Sequence, residues 1–497
     1  MHSRFHSPTR RLQGIGLTVV CLFGGTAVGS AAPTWRASQT LSFSGGPGAL
    51  SGDLVATGNG AAAVYARQVG GAMHLGFFRL GPDAQTLIDQ VYDLSPWPCY
   101  QPAVAFDGAG FGVAVSGFTQ AFFLRLSATG DVLAGPVQLP GLPSGAEAGR
   151  TAGFRVFWTG HRFAVFGLWL EREFPWQELG QGHFHTHLRY WLVDPTGAVE
   201  VQRTLRRLAP MTYPGVEGAE RDYYDVAPLP DGFFVASYSE SAAGPPLSVY
   251  YRRFDLAGNP TREEQPLFAA QTAQGPRLAW NGATVAATAV RIVSLPHPEA
   301  GNHLYRRCFA PDGTPRGPEV AYGSRLGFGP VVFWTGMRFM TAFCVLHDWD
   351  RLGYALILEP FDDTGSSLGP EGPLRDAQGR AVLGRMAFGV DLKFVGSGNV
   401  LYAKAQTSDA FAIQISPLWF TLVNDVLTPP PLRIFREGGE VALRWPGDAA
   451  PFGLESAVDP ARGPWSAVES PPVFRLDHFE LRQPAADTRF FRLQSLP

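Results

Sequence analysis

Two stretches decide how this chain folds: Val156-Phe157-Trp158-Thr159-Gly160-His161-Arg162-Phe163 and its near copy Val332-Phe333-Trp334-Thr335-Gly336-Met337-Arg338-Phe339. Each reads as an apolar strand, a tight turn on threonine and glycine, and the start of a second apolar strand. Shorter versions stand at Ala103-Val104-Ala105-Phe106-Asp107-Gly108 and Leu278-Ala279-Trp280-Asn281-Gly282, with weaker ones around Gly60, Gly232 and Gly398. The markers 60, 108, 160, 232, 282, 336 and 398 recur at intervals of roughly 50 residues, a spacing that points to repeated sheets. A second marker follows in most units: Ala128-Thr129-Gly130, Pro195-Thr196-Gly197, Leu256-Ala257-Gly258, Pro311-Asp312-Gly313 and Asp363-Thr364-Gly365.

Each unit therefore reads strand, tight turn, strand, variable connection, strand, tight turn, strand. Repeated four-stranded antiparallel units are the pattern of a β-propeller, here with seven blades between residues 45 and 428, preceded by a lead-in at 33–44. Composition agrees. The 497 residues include 58 Gly, 42 Pro and 36 Phe. Glycine and proline cost roughly 1 and 3 kcal/mol inside a helix, which excludes a helical bundle. With 45% apolar and 17% charged residues, disorder is excluded as well.

In an antiparallel meander the first and third turns share one end, and the second connection shares the other with the link to the next sheet. The short glycine turns occupy one end, and connections of irregular length occupy the other, where binding usually lives. The repeats resemble those of secreted bacterial β-propeller proteins, without the Gly-His…Trp-Asp spacing of WD40 repeats, a kelch glycine pair or a sialidase Asp box. After Thr428 a linker, Pro429-Pro430-Pro431, precedes alternating strands over 432–497 that resemble the small β-sandwich appendages of secreted proteins.

The N-terminus reads as an address. Arg4, Arg10 and Arg11 precede the apolar run Ile15–Phe23 and the small residues Gly29-Ser30-Ala31-Ala32, the layout of a secretory signal over 1–32, with an uncleaved anchor as the rival reading. A secreted, periplasmic or cell-surface location follows, with no transmembrane span in the mature chain. Losing the leader removes three arginines and no acid, leaving 37 basic against 43 acidic residues, net −6. No basic stripe suggests nucleic acid. Of the three cysteines that remain, Cys308 and Cys344 sit mid-strand and are expected as buried thiols, whereas Cys99 lies in a link and is expected to be exposed.

Candidate chemistry gathers in the irregular connections. In the longest, Gly182-His183-Phe184-His185-Thr186-His187 places three imidazoles on one side of an extended strand. His183, His185 and His187 would suit Zn²⁺ or Cu²⁺, with Glu171 as a fourth ligand; the competing reading is an edge strand with solvated histidines. Glu171, Glu173, Asp348 and Asp350 are the carboxylates that a hydrolase or lyase acting on glycans would use, and Asp348 with Asp350 would alternatively hold Ca²⁺ or form a polar turn. Trp97, Tyr100, Trp176, Tyr223, Tyr224 and Trp349 would offer stacking faces for sugar rings or peptides, or else pack between blades. No Gly-x-Ser-x-Gly, His-Glu-x-x-His or phosphate-cradling loop occurs. The expected function is recognition of a glycan or an extracellular protein by a monomer, with a secreted glycan-degrading hydrolase or lyase as the alternative.

Overall fold

The computed structural model describes residues between Thr34 and Ser495; outside the described set lie 1–33, 143–149, 173–183, 210–222, 294–300, 376–382, 386–392, 424–431 and shorter connections. All regular structure among the described residues is β, in two compact units, Ala32–Leu422 and one that contains Val423–Pro497.

In the larger unit the sheets follow the chain. The first spans Ala49–Tyr92, the second Tyr100–Gln138, the third Arg150–Arg207, the fourth Tyr224–Pro266 and the fifth Ala273–Tyr322, each of four strands paired in order and antiparallel. The sixth starts with Gly327–Trp334 and the seventh with Lys393–Ser397. First strands of successive sheets pack together, those of the third and fourth sheets through side chains such as Arg155 and Asp225, and that of the seventh lies against Ala49–Thr57 of the first, so the succession returns to its start. Sheets stacked side by side in this way, with their innermost strands gathered together, make a β-propeller.

Two short strands ahead of the first sheet take part in the closure. Phe43–Ser44 pairs with Ala412–Leu418 in the seventh sheet, and Thr34–Ala37 runs parallel to Gly372–Arg375 of the sixth.

Aromatic and branched side chains fill the gaps between sheets. Phe77, Phe111 and Phe122 lie between first and second, and Phe123, Phe154, Phe163 and Trp191 between second and third. Phe166, Tyr190, Tyr224 and Phe233 follow, then Phe234, Tyr251, Phe268 and Phe309. Phe166 meets Phe233 edge-on at 5.0 Å across one of these gaps. Burying each such ring contributes several kcal/mol, and the large-to-small cost is about 3–5 kcal/mol.

The marker glycines fall into three physical classes. Gly108, Gly160 and Gly282 sit at φ +94° to +97° in first turns, with no atom within 4 Å of a Cβ. Gly130, Gly197, Gly258, Gly313 and Gly365 have φ between +75° and +94° and close hairpins of one design. In each, the glycine N–H donates to the carbonyl three residues back, as in Gly197 to Asp194 at 3.0 Å. The paired residues always stand the same distance apart: Leu126 with Val132, Val193 with Val199, Phe254 with Pro260, Phe309 with Pro315 and Phe361 with Ser367. This is a type I turn followed by a left-handed residue, where glycine avoids the Cβ penalty. Gly60 and Gly232 differ. They begin strands, and a Cβ would sit 2.0 Å from the carbonyl oxygens of Leu80 and Phe254, so they are required by close approach of backbones. Gly336 and Gly398 lie outside the described residues.

The hairpins also clasp the preceding sheet. Tyr190 Oη donates to Leu256 O at 2.7 Å, Tyr251 Oη to Gly313 O at 2.7 Å and Arg306 Nε to Gly365 O at 2.8 Å. Each donor sits on the third strand of its sheet, each acceptor in the next sheet's hairpin.

The smaller unit has two sheets. One is ordered Arg433–Glu437, Glu440–Pro446, His478–Pro484, Val473–Arg475, and the other Ser466–Ala467, Phe452–Ala457, Phe490–Ser495. Val441, Leu443, Leu454, Leu481, Phe491 and Leu493 form their shared core.

Candidate functional site

The two ends of the sheets differ in a way that locates the site. At one end the hairpins are short and repeat. At the other, second and third strands are joined by 70–71, 117–120, 173–183, 242–243, 294–300 and 349–352, and successive sheets by links as different as 93–99 and 208–223. On a rigid scaffold, loops of irregular length are where binding surfaces usually lie.

Near the axis a set of polar contacts ties the innermost strands. Asp53 Oδ2 accepts from Val104 N at 3.1 Å, and Gln101 Oε1 from Gly153 N at 2.7 Å. Arg155 Nε donates to Asp225 Oδ1 at 3.2 Å, and Asp225 Oδ2 accepts from Leu278 N at 2.8 Å. Each contact joins one sheet to the next. Counted back from the turns, Asp53, Ala103, Arg155, Asp225, Arg277 and Val331 hold one position on six innermost strands, opposite Val64, Ala114, Phe166, Ala236, Thr288 and Ala342. Among the described residues no strand pairs with the inner edge of a first strand, and the carboxylates of Asp53 and Asp225 accept N–H groups there. Four of these pairings slip by a residue just before this position, and the slip carries positive φ at Gln101, Gly153, Gly275 and Gly329. Gln101, at +41°, is the non-glycine among them. The single-sequence reading missed this belt; the signal was one residue per repeat at a fixed offset from the turn, preceded by Gly-Pro or Gln-Pro in three units.

The aromatic candidates separate by burial. Tyr224 is 0% exposed, and its hydroxyl donates to Gly153 O at 2.5 Å, so it packs between third and fourth sheets. Tyr223 is half-buried, edge-on to Tyr238 at 6.0 Å. Trp97 is half-buried with its ring 4.7 Å from Phe122, and Tyr100, also half-buried, pairs with Ser116. Trp176 and Trp349 lie outside the described residues.

At the start of the strand Phe184–Val193, His185 and His187 point to one side, with the fully buried Thr186 on the other. His187 Nε2 lies 3.2 Å from Glu171 Oε2, and His185 meets the guanidinium of Arg207. Burial lowers the His187 pKa, and Glu171 opposes that shift. Arg207 makes the His185 side less favourable for a cation. No group of three metal-ligating side chains forms among the described residues, and His183 lies outside them. Of the four carboxylates considered for hydrolysis, Glu171 has a described side chain. Asp348 ends its strand opposite Gly353, while Glu173 and Asp350 lie outside the described residues.

One expectation is corrected. Cys99, read as exposed, is 0% exposed; its N–H donates to Met73 O at 3.1 Å, which draws the link under the first and second sheets. Burial pushes its thiol pKa well up, and holds Cys308 and Cys344 at about 12. All three are buried free thiols.

No family model and no curated protein matches the chain. Among solved structures it is similar to the acylaminoacyl peptidase of Pyrococcus horikoshii, at 12% identity and TM-score 0.40, over 80% of this chain and 58% of that one. It is similar also to the β-propeller domain of the trilobed protease from Pyrococcus furiosus (9%, TM-score 0.39, 76% and 94%). A third is the α-L-arabinanase of Penicillium chrysogenum complexed with arabinobiose (9%, TM-score 0.40, 78% and 98%). The chain thus spans 58% of the peptidase it matches. Its class, an all-β propeller chain with a second β unit, rests on its own sheets. No helix among the described residues is long and apolar enough to cross a membrane.

Proposed function

We propose that this is a secreted or cell-envelope binding protein, a monomer of seven blades that recognises a glycan through the irregular end of the propeller. One observation supports the reading: connections at that end range from 70–71 to 173–183, while at the other end the first turns leave two or four residues between paired positions and the hairpins between third and fourth strands keep one interval. Loops released from the scaffold's geometry are free to fit a ligand. Trp97, Tyr100 and Tyr223 are the partly exposed aromatic residues at that end, and such rings suit the apolar faces of sugars.

The test is a glycan and protein array probed with the chain from Pro33 onward, followed by product analysis on any retained glycan. Retention of a glycan that is recovered intact is the expected result. Retention of nothing, of a protein alone, or release of shortened or unsaturated sugars would overturn it, the last in favour of a hydrolase or lyase.

A further inference from the structure

The gap between the third and fourth sheets changes character along its length. Deep within it Phe166 meets Phe233, and Leu188, Tyr190 and Val235 belong to the same core. Toward the irregular end the facing residues carry hydroxyls instead. Thr186 lies on the side of its strand that bears Leu188 and Tyr190, and Ser237 and Ser239 lie on the side that bears Val235. Ser248 pairs with Ser239 and shares its face. All four are buried, Thr186 and Ser239 at 0% exposure. Main-chain bonds draw the two strands together here. Leu208 N donates to Thr186 O at 2.7 Å, and the next residue, Ala209, donates through its N to Tyr238 O at 3.1 Å.

Among the described residues, neither Thr186 Oγ1 nor Ser239 Oγ has a hydrogen-bond partner. A buried hydroxyl ordinarily finds one, in protein or in ordered water. Comparable hydroxyls between other sheets find theirs in protein. Ser116 Oγ donates to Thr151 O at 2.8 Å, Thr288 Oγ1 to Tyr305 O at 2.8 Å and Thr341 Oγ1 to Glu359 O at 3.3 Å.

We propose that a water molecule bridges Thr186 Oγ1 and Ser239 Oγ, binding the third sheet to the fourth at the root of the 208–223 link. The chemistry of the patch selects water over an ion or an apolar group. Its four hydroxyls carry no charge, and each can both donate and accept. Arg206, on the same face beside Leu188, is already paired with Glu264. A site lined by hydroxyls takes up water, whereas a small apolar one stays dry. One water has two donors and two acceptors, enough to serve both hydroxyls. The bridge stands where the chain leaves the third sheet, so it fixes the start of the link as well as the spacing of the sheets.

The test combines a crystal structure of the chain from Pro33 onward with hydrogen exchange. One ordered water within about 3 Å of both oxygens is the expected result. Thr186→Val and Ser239→Ala each delete one hydroxyl with little change of shape. Each should speed exchange of the Leu208 and Ala209 amides about tenfold, the scale of one lost hydrogen bond. No water between the two oxygens of the unaltered chain would overturn the proposal, whether or not the variants fold. A direct bond between the hydroxyls, or a bond to either from a residue of 210–222, would do the same. So would unchanged or slower exchange in Thr186→Val, the behaviour of a dry hydroxyl relieved of its burial. Glycan retention by the propeller is a separate readout and has no bearing on these outcomes.

Discussion

Replacing Asp225 by alanine tests whether the axial belt holds the sheets together. The carboxylate lies on the fourth sheet, takes Arg155 Nε from the third at 3.2 Å and accepts Leu278 N from the fifth at 2.8 Å. Both charged side chains are largely buried, at 15% and 13% exposure. Removing one partner of a buried pair costs about 3–5 kcal/mol, because the other charge stays in a poorly solvated place. Loss of the acceptor at Leu278 N adds about 1–3 kcal/mol. The two are not independent, so Asp225→Ala should destabilise the larger unit by about 3–6 kcal/mol. Asp225→Asn keeps an acceptor and should cost roughly half as much. Combining Asp225→Ala with Arg155→Met removes the stranded charge, and the double variant should be more stable than Asp225→Ala alone. The assay is urea unfolding of the mature chain followed by tryptophan fluorescence, with midpoint and slope compared. A shift for Asp225→Ala within about 0.5 kcal/mol of wild type, the range of ordinary surface changes, would refute the reasoning. So would strict additivity in the double variant.

Three further outcomes follow from the same geometry. Gly232→Ala places a Cβ 2.0 Å from Phe254 O and should lower the propeller's stability by about 2–4 kcal/mol, whereas Gly108→Ala, with open space at +97°, should cost about 1 kcal/mol; a reversed order in thermal melts contradicts the distinction between close approach and open turn. Cys99, Cys308 and Cys344 should resist iodoacetamide at pH 8 in the native chain and react on unfolding, and rapid native labelling by mass spectrometry would contradict their burial. Glu480 is held at about 2 by hydrogen bonds from Arg482 and Arg444, below its ordinary value of 4.5. Its contribution is complete above pH 4.5 and disappears as pH falls towards 2, so the smaller unit should lose about 1 kcal/mol over that window after allowance for solvent screening of the arginines, and Glu480→Gln should abolish that slope.

The repeating sheets were legible because glycine leaves a mark wherever a hairpin needs positive φ or two backbones touch, and both needs recur once per repeat. Gly130 and Gly197 report the first need, Gly60 and Gly232 the second. The axial belt was illegible for the opposite reason. Its position holds Asp53, Ala103, Arg155, Asp225, Arg277 and Val331, so no one residue type repeats throughout, and most of the partners are backbone N–H groups of another sheet, on which side-chain identity says nothing. Cys99 misled because a link between sheets was taken for surface, whereas its main chain is drawn in by Met73 O. Tyr223 and Tyr224 show the same limit: neighbours in sequence, one is half-buried and one is sealed against Gly153, a choice made by the alternation of the strand that starts there.

The clasp between three of these five-residue hairpins and the sheet before each has an evolutionary consequence. Because Tyr190, Tyr251 and Arg306 grip main-chain carbonyls, their partners can change identity without loosening the grip. Insertions at the far rim leave these joints untouched, so such a chain can lengthen a single connection and still keep the mechanical closure it inherited.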